Sequence, residues 1–330
     1  MHPGSYGLTP AAGQPPAGPA RSGTWPVRSG LVPPLAEGFI ARTETVPGLE
    51  AALVPGAAVA LVPGETTGDV RDWPGSCGKT QLAAYLAGSL WRSRGVDLLA
   101  WVAATSRASV LSGYGQAAAK LGLDHADDAE AVAARFLAWL NGTSRPWLLV
   151  LDDLRDAADL DGLMPAGPAG RVLITAADTA TVSAEPRVLV LAVPAFSTRE
   201  ALNYLSGRLS TDPHQRSGAI DLAGELGCEP AALAQAAAVI VSSGIRCREY
   251  RDYFARRRAQ LAAVGTGRLP AAEVTWTLSG ACREASPCPL KAIHGPGRRI
   301  RTRLARRRRA RSAVTMRWSY VPRRAWPRLT

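Results

Sequence analysis

A short glycine-bearing segment, Gly75-Ser-Cys-Gly-Lys-Thr80, has the residue types that bind a phosphate group. Glycines let a loop point several backbone N–H groups at one anion, and a helix that begins there adds its positive end. Lys79 is predicted to neutralise phosphate oxygens, and the Thr80 hydroxyl is predicted to bind Mg²⁺. The pattern G-x-x-x-x-G-K-[ST] would also require glycine where Trp73 stands. Taken alone, the segment is therefore also compatible with an ordinary helix start.

A pair of adjacent acids offers the second half of such a site. Asp152 and Asp153 follow the apolar segment Trp147–Leu151, about 70 residues after the glycine-bearing loop. In P-loop enzymes an acid at the end of a strand binds Mg²⁺, and a neighbouring acid orients or deprotonates the attacking water. An Asp pair that caps a helix would look the same in isolation. The order and spacing of the two motifs favour a nucleotide site containing Mg²⁺, with Asp153 as the candidate catalytic residue.

The elements around these motifs indicate an α/β fold. Five short segments are apolar throughout, which is typical of strands covered on both faces of a parallel sheet. Segments with helical periodicity alternate with them, as in a doubly wound domain. The predicted strands are Ala57–Val62, Leu98–Val102, Trp147–Leu151, Arg171–Thr175 and Arg187–Leu191.

Beyond Pro194 the pattern becomes helical only, which predicts a small helical domain after the sheet. Ser197 and Glu200 are spaced as a helix N-terminal cap, and Gly244 stands where a helix is expected to end. The predicted helices are Thr198–Leu209, Arg216–Leu226, Pro230–Val241 and Arg246–Leu261. The predicted domains are a flexible leader (1–35), an α/β domain (36–193), a helical domain (194–262) and a last region (263–330).

Composition limits the remaining classes of function. The five cysteines are scattered without a C-x-x-C pair, so the sequence predicts neither a disulfide framework nor a zinc site, and it favours the cytoplasm. The sequence contains no run of about 18 apolar residues, so it predicts no membrane span. The net charge is +12, but residues 281–330 contain fifteen Lys and Arg against one acid, Glu284. The basic character therefore belongs to the tail.

The chain resembles the STAND class of P-loop NTPases, in particular NB-ARC-like members that are often linked to tetratricopeptide repeats. The resemblance extends over about residues 37–262 and depends on the order of several motifs. These are Phe39-Ile-Ala-Arg42, Gly75–Thr80, the Asp152–Asp153 pair, Gly170-Arg-Val-Leu-Ile-Thr175 and Cys228-Glu-Pro-Ala-Ala-Leu233.

This resemblance implies a regulatory switch that binds ATP or ADP with Mg²⁺ and contacts protein partners. Thr80 and Asp152 are the implied Mg²⁺ ligands, and Asp153 is the implied catalytic residue. The residues implied to contact the nucleotide are Gly75, Ser76, Cys77, Gly78, Lys79, Thr80, Gln81, Arg42 and Pro230.

Several departures from the family pattern predict slow or absent hydrolysis. Ala177 stands where the family has a sensor arginine, and Trp73 and Cys228 replace glycines. A winged-helix domain is expected to open near Val274–Leu278, but its M-H-D signature is missing, so the chain resembles a truncated member. A degenerate domain that only binds proteins is the alternative from another class.

The basic tail leaves three explanations open. Clustered arginines, such as Arg306–Arg309, release counterions when they bind nucleic acid. The same charge could attract an anionic membrane surface. The third hypothesis is an out-of-frame reading of a GC-rich gene from about residue 280, which would explain the abrupt change in composition.

Overall fold

The computed structural model describes residues 25–64, 77–125, 128–182, 187–264 and 271–284. Six strands lie in these ranges: β1 (Val27–Ser29), β2 (Ala58–Pro63), β3 (Leu98–Ala103), β4 (Trp147–Leu154), β5 (Gly170–Ala176) and β6 (Val188–Val193). Nine α-helices accompany them: α1 (Thr45–Ala52), α2 (Lys79–Arg92), α3 (Arg107–Leu121), α4 (Ala129–Gly142), α5 (Thr198–Arg208), α6 (Ala219–Glu225), α7 (Pro230–Ser243), α8 (Cys247–Val264) and α9 (Ala271–Glu284).

The strands form one sheet in the order β1-β3-β4-β5-β2-β6, and every pair is parallel. The predicted α/β class and all five predicted strands are confirmed. Because the strands are parallel, the carboxyl ends of β2, β4 and β5 meet at one edge of the sheet, where α/β proteins bind their ligands. Leu61 pairs with Thr175 there, and Asp152 pairs with Ala103.

The four central strands, β2 to β5, are covered on both faces of the sheet, which explains why they are mainly apolar. Alternate residues of each strand enter opposite cores, as the two-residue period of a strand requires. In β2, Ala60 and Val62 pack with α3 and α4, whereas Val59 and Leu61 pack with α1 and α2. Helix α2, which follows β2 in the chain, and the acidic end of β4 occupy the places that the predicted α/β fold gives them.

The N-terminal segment corrects one expectation. Residues 1–35 were expected to be a flexible leader, but β1 pairs with β3 through Val27 and Leu98. Trp25 stacks on Trp139 with ring centroids 6.1 Å apart, and the Arg145 guanidinium lies 4.4 Å from the centre of the Trp25 ring. These aromatic contacts hold the segment on the edge of the sheet. Residues 1–24 lie outside the described part of the chain.

The helices α5 to α9 surround a separate core. It includes Leu205, Leu233 and Phe254, and Val274 and Leu278 of α9 belong to it as well. The helical unit therefore continues through α9, past the boundary predicted at residue 262. The predicted cap at Ser197 is confirmed as a capping box with Glu200, and Gly244 ends α7 in a left-handed conformation.

The remaining predicted features have different outcomes. Within the described ranges no single helix is both long and apolar enough to cross a membrane. The helices Pro230–Ser243 and Cys247–Ala263 reach that length and apolar composition only when they are taken together, and they are bent by 118° at the break between them.

Chain contacts divide the protein into a unit of residues 1–293 and a second unit of residues 294–330. The second unit, which includes the arginine cluster, lies outside the described residues.

Candidate functional site

The end of the glycine-bearing loop leads directly into α2. Gly78 is the N-cap of this helix and has φ 89°, a left-handed conformation that residues with a Cβ seldom adopt. Lys79 and Thr80 then form the first turn, and α2 packs against β2, β4 and β5. The helix therefore begins at the carboxyl edge of the sheet. Gly75 and Ser76, which were predicted to contact the nucleotide, lie outside the described residues.

The centre of the site is a set of hydrogen bonds around Asp152. The Thr80 hydroxyl donates to Oδ1 of Asp152 over 2.8 Å, and the Thr175 hydroxyl donates to the same oxygen over 2.7 Å. The backbone N–H of Asp153 donates to the Thr175 hydroxyl over 2.9 Å. The loop–helix motif and the acidic pair, distant in sequence, therefore meet at one point, and β5 supplies the residue that joins them.

The protonation of Asp152 depends on opposing effects. Burial raises the pKa of this carboxyl, whereas the hydrogen bonds from Thr175 and Thr80 lower it. The negative charge of Asp153 also raises the pKa, and the positive charge of Lys79 lowers it. The net direction is upward, because desolvation disfavours the charged form most strongly. A cation placed at this oxygen would reverse that balance.

Lys79 is enclosed by the site even though its side chain is charged. Only 8% of the residue is exposed, and its Nζ lies 3.8 Å from Sγ of Cys77. The positive charge of Lys79 favours the ionised form of the Asp152 carboxyl, and Lys79 adjoins Thr80, whose hydroxyl is hydrogen-bonded to Asp152. The role predicted for Lys79 depends on this burial, because a buried ammonium group interacts strongly with an incoming anion.

Asp153 has an unusual backbone and an ionic partner. Its φ is 65°, and the pairing of β4 with β5 shifts register between Leu151 and Leu154. This bulge turns the carboxylate outward, where its side chain is 49% exposed and Oδ2 lies 2.7 Å from Nη2 of Arg155. The candidate catalytic carboxylate therefore lies at the sheet edge, bound to a neighbouring guanidinium.

Arg42, predicted to contact the nucleotide, forms buried contacts with two backbone carbonyls that the sequence did not indicate. The residue is 4% exposed, and its guanidinium donates hydrogen bonds to the backbone carbonyls of Cys77 and Pro194. The same group lies 5.0 Å from the centre of the Phe196 ring. Burial lowers the pKa of Arg42, partly offset by the charges of Cys77 and Glu200. Its contacts join the end of the glycine-bearing loop to the connection between β6 and α5.

Gln81 and Pro230, also predicted to contact the nucleotide, are positioned by other parts of the chain. The Gln81 amide nitrogen donates to the carbonyl of Pro34 over 3.3 Å, so this side chain contacts the N-terminal segment. Pro230 is the first residue of α7, as expected for a residue that lacks an N–H donor. The turn before it is joined to the sheet side, because the N–H of Phe196 donates to the carbonyl of Cys228 over 3.0 Å.

The side chains present fit a nucleotide-bound Mg²⁺ ion. Mg²⁺ prefers oxygen ligands and is usually held by one or two carboxylates together with phosphate oxygens and water. The Thr80 hydroxyl and the Asp152 carboxylate meet at 2.8 Å and supply such oxygens. Among the described residues no group of three or more His, Cys, Asp or Glu could hold a metal by itself. The donor set therefore fits an ion that brings further ligands with a phosphate.

Three residues of the site were missed by sequence reasoning. The Thr175 hydroxyl donates a hydrogen bond to Asp152, and Arg155 forms an ion pair with Asp153. The backbone carbonyl of Pro194 accepts a hydrogen bond from Arg42. A threonine at the end of the predicted strand next to the acidic pair was a signal for the first of them. Arg155 and Pro194 gave no such signal, because their roles depend on a strand bulge and on a tertiary contact.

Comparison with solved structures finds several similar chains. The ORC2 protein of Aeropyrum pernix in ADPNP–ADP complexes is 15% identical over 71% of this chain and 64% of that chain, with a TM-score of 0.37. Cdc6p from Pyrobaculum aerophilum is 11% identical over 61% and 62% of the two chains, with a TM-score of 0.42.

A third similar structure is a STAND protein with a tetratricopeptide repeat sensor from Pyrococcus horikoshii. It is 15% identical over 61% of this chain and 30% of that chain, with a TM-score of 0.38. The chain thus spans less than two thirds of each of these three proteins. No protein-family model and no curated protein sequence matches the chain.

Proposed function

We propose that this protein binds ATP or ADP together with Mg²⁺ and acts as a regulatory switch of the STAND class. The observation that carries the proposal is the 2.8 Å hydrogen bond between Thr80 of the loop–helix motif and Asp152 of the distant acidic pair. A hydroxyl at a helix start and a carboxylate at a strand end, beside a buried lysine, are the parts that hold a phosphate-bound Mg²⁺ ion.

Each residue at the sheet edge has a distinct role in this proposal. The backbone of Cys77 and Gly78 and the ammonium of Lys79 bind the phosphate oxygens at the start of α2. Thr80 with its hydroxyl and Asp152 with its carboxylate would hold Mg²⁺. The ion, when bound with nucleotide, neutralises negative charge on the phosphates. Pro230 and Gln81 are proposed to border the nucleotide from the helical unit and the N-terminal segment.

Hydrolysis is proposed to be slow. Asp153 is the candidate for orienting an attacking water, but its carboxylate lies 2.7 Å from the Arg155 guanidinium. A carboxylate that is held by a guanidinium is a weaker acceptor for a proton from water. In addition, Ala177 follows β5 where the related family has an arginine. The site is therefore better suited to holding a nucleotide than to turning it over rapidly.

The switch itself is proposed to be a change in how the helical unit lies against the sheet. The two parts have separate cores, and residues 194–197 connect β6 to α5. Rotation about such a short connection is a common form of nucleotide-dependent switching. Protein partners in the cytoplasm would then recognise one of the two arrangements.

One experiment separates this function from the degenerate protein-binding alternative. Binding of Mg-ADP and Mg-ATP is measured by calorimetry for wild type, Lys79→Ala and the matched control Lys120→Ala, and phosphate release is followed for wild type and Asp153→Ala. We expect Lys79→Ala to weaken binding about 10- to 100-fold, because it removes a charge-assisted contact worth about 1.5–3 kcal/mol. Lys120 is exposed at the end of α3, so its replacement should leave binding unchanged.

The outcomes are distinct. Nucleotide binding with slow phosphate release that Asp153→Ala abolishes supports the proposed switch. Binding without any release supports a domain that has lost hydrolysis. Absence of binding to wild type overturns the nucleotide proposal. Nucleic-acid binding through the basic tail is tested separately, by comparing the whole chain with a chain ending at residue 284 over a range of salt concentrations.

A further inference from the structure

The guanidinium of Arg42 connects three parts of the protein at one buried point. One terminal nitrogen donates to the carbonyl of Cys77, and the other donates to the carbonyl of Pro194. The flat face of the group lies 5.0 Å from the centre of the Phe196 ring. Since the residue is only 4% exposed, water does not replace any of these contacts cheaply.

The two carbonyl groups belong to elements that the proposed switch must move separately. Cys77 precedes the N-cap Gly78 and so belongs to the phosphate loop. Pro194 and Phe196 belong to residues 194–197, called here the linker, between β6 and α5. Arg42 itself precedes α1 and comes from neither element. A single side chain thus bonds to the loop and to the linker at the same time.

The energetics make this arrangement sensitive to movement. Burial lowers the pKa of Arg42, and the attraction of Glu200 only partly offsets that cost. A buried guanidinium is tolerated when its donors are satisfied, and losing one acceptor leaves a charged donor without a partner. If the phosphate loop shifts so that the Cys77 carbonyl moves away, the linker contact alone no longer satisfies the group.

We infer that Arg42 is a positioning residue that couples the phosphate loop to the linker, an inference that rests on the proposed nucleotide switch. The peptide of Cys77 is held in one orientation by the same group that fixes Pro194 and Phe196. Occupation of the loop by a nucleoside diphosphate therefore changes the stability of the linker, and movement of the helical unit changes nucleotide affinity by the same factor.

The inference differs from the role that the family resemblance implies for Arg42. A residue that only contacts nucleotide would affect binding without affecting the linker in its absence. A coupling residue affects the linker whether nucleotide is present or not. Two backbone amides report on the two sides: Leu82 N–H donates to Gly78 in the phosphate loop, and Phe196 N–H donates to Cys228 beside the linker.

Hydrogen exchange at these two amides tests the inference in the full chain. In the wild type, Mg-ADP is expected to slow exchange at both Leu82 and Phe196, by at least about fivefold each, the lower limit of common coupling energies. In Arg42→Gln, Mg-ADP should still slow exchange at Leu82, whereas the change at Phe196 should disappear. Without nucleotide, the same variant should exchange faster than wild type at both amides.

Two further variants keep the test independent of folding defects. Phe196→Leu removes the ring contact and leaves both carbonyl hydrogen bonds, so it should reduce the response at residue 196 only in part. Arg208→Gln is the matched control: Arg208 lies on α5 and pairs with Glu37, and among the described residues its ion pair does not involve Cys77 or Gly78. It should leave the wild-type response of both amides intact. A thermal melt establishes that each variant is folded.

The results separate failure of the inference from failure of the proposed function. If wild type does not bind Mg-ADP, the proposed function fails, and the comparison without nucleotide still decides the coupling. If Arg42→Gln leaves both amides at wild-type rates without nucleotide and merely weakens ADP binding, Arg42 is a nucleotide contact and the coupling is wrong. Loss of the Phe196 response in Arg208→Gln as well would also overturn it.

Discussion

Thr80 and Asp152 are 72 positions apart in the chain, and their side chains are joined by a hydrogen bond of 2.8 Å. This contact ties the first turn of α2 to the carboxyl end of β4, so the lysine before Thr80 and the acid after Asp152 converge on the same edge. The bond also leaves each group with oxygen lone pairs that an ion can use. Asp152 and three residues near this bond provide four tests of the site.

Replacing Asp152 should change how stability depends on pH. Because burial raises the pKa of Asp152 above its ordinary value of 3.8, the folded protein binds this proton more tightly than the unfolded chain. The resulting stability is present below that value and is lost as the pH rises through the folded pKa. In Asp152→Asn without Mg²⁺, the free energy of unfolding should lack this decline, as urea unfolding from about pH 4 to 7 would reveal.

Asp178 provides a control of opposite sign. Hydrogen bonds from the side chain and backbone of Thr181 lower the pKa of Asp178. Its contribution is present at neutral pH and is lost as the pH falls through the folded pKa. Asp178→Asn should therefore become closer to wild type in stability at acid pH. Identical pH slopes for the Asp152 and Asp178 variants would contradict the assignment of a buried carboxyl at the site.

Gly78 should not tolerate a side chain. Its φ of 89° suits glycine alone, so Gly78→Ala is expected to lose about 1–2 kcal/mol of unfolding free energy. It should also weaken Mg-ADP binding, since the loop would relax towards another conformation. Gly115→Ala is the matched control, because Gly115 lies inside α3 with nothing within 4 Å of an added Cβ. That change should stabilise by about 0.5–1 kcal/mol, and thermal or urea unfolding distinguishes the two signs.

Thr175 should be required for its hydroxyl rather than its shape. Thr175→Val keeps the volume but removes the donor to Asp152 and the acceptor for the Asp153 N–H. Since the residue is 1% exposed, we expect a loss of about 1–3 kcal/mol in unfolding free energy. Thr175→Ser retains both hydrogen bonds and should recover most of this loss. Equal stability of the serine and valine variants would show that the hydroxyl does not join the two acids.

Arg155 should limit the rate of hydrolysis. Arg155→Gln removes the positive charge that holds the Asp153 carboxylate, so phosphate release from Mg-ATP should increase. The increase should be at most about fivefold, because an ion pair as exposed as this one contributes about 0–1 kcal/mol. Arg145→Gln, which breaks a pair with Asp97 at the amino ends of the strands, is the control. A fall in phosphate release with Arg155→Gln would instead indicate that Arg155 assists the reaction.

Sequence reasoning was most successful where the pattern is long and local. Five strands were predicted because each is a continuous apolar segment, and four of them, β2 to β5, are buried on both faces of the sheet. Strand β1 was missed, since Val27–Ser29 is three residues long and follows a region rich in Pro and Gly. Its position depends on pairing with β3 and on the stacking of Trp25 and Trp139, neither of which leaves a periodic signal.

The candidate site was predictable in part for the same reason. Two motifs of adjacent residues contain Lys79, Thr80 and Asp152, whose residue types are typical of sites that bind phosphate and Mg²⁺. The left-handed backbone of Asp153 and the double hydrogen bond of Arg42 arise only after the chain has folded. They depend on a strand bulge and on a contact across 152 positions, which composition and spacing do not encode.

The position of β2 in the sheet has a consequence for biosynthesis. Both neighbours of this strand, β5 and β6, lie downstream of it in the chain. On the ribosome, the apolar segment Ala58–Pro63 therefore leaves the exit tunnel more than one hundred residues before its last hydrogen-bonding partner, Val193. Pairing between strands so distant in sequence slows folding and prolongs the exposure of an apolar, aggregation-prone strand. We therefore expect the nascent chain to depend on chaperones until β6 has been synthesised.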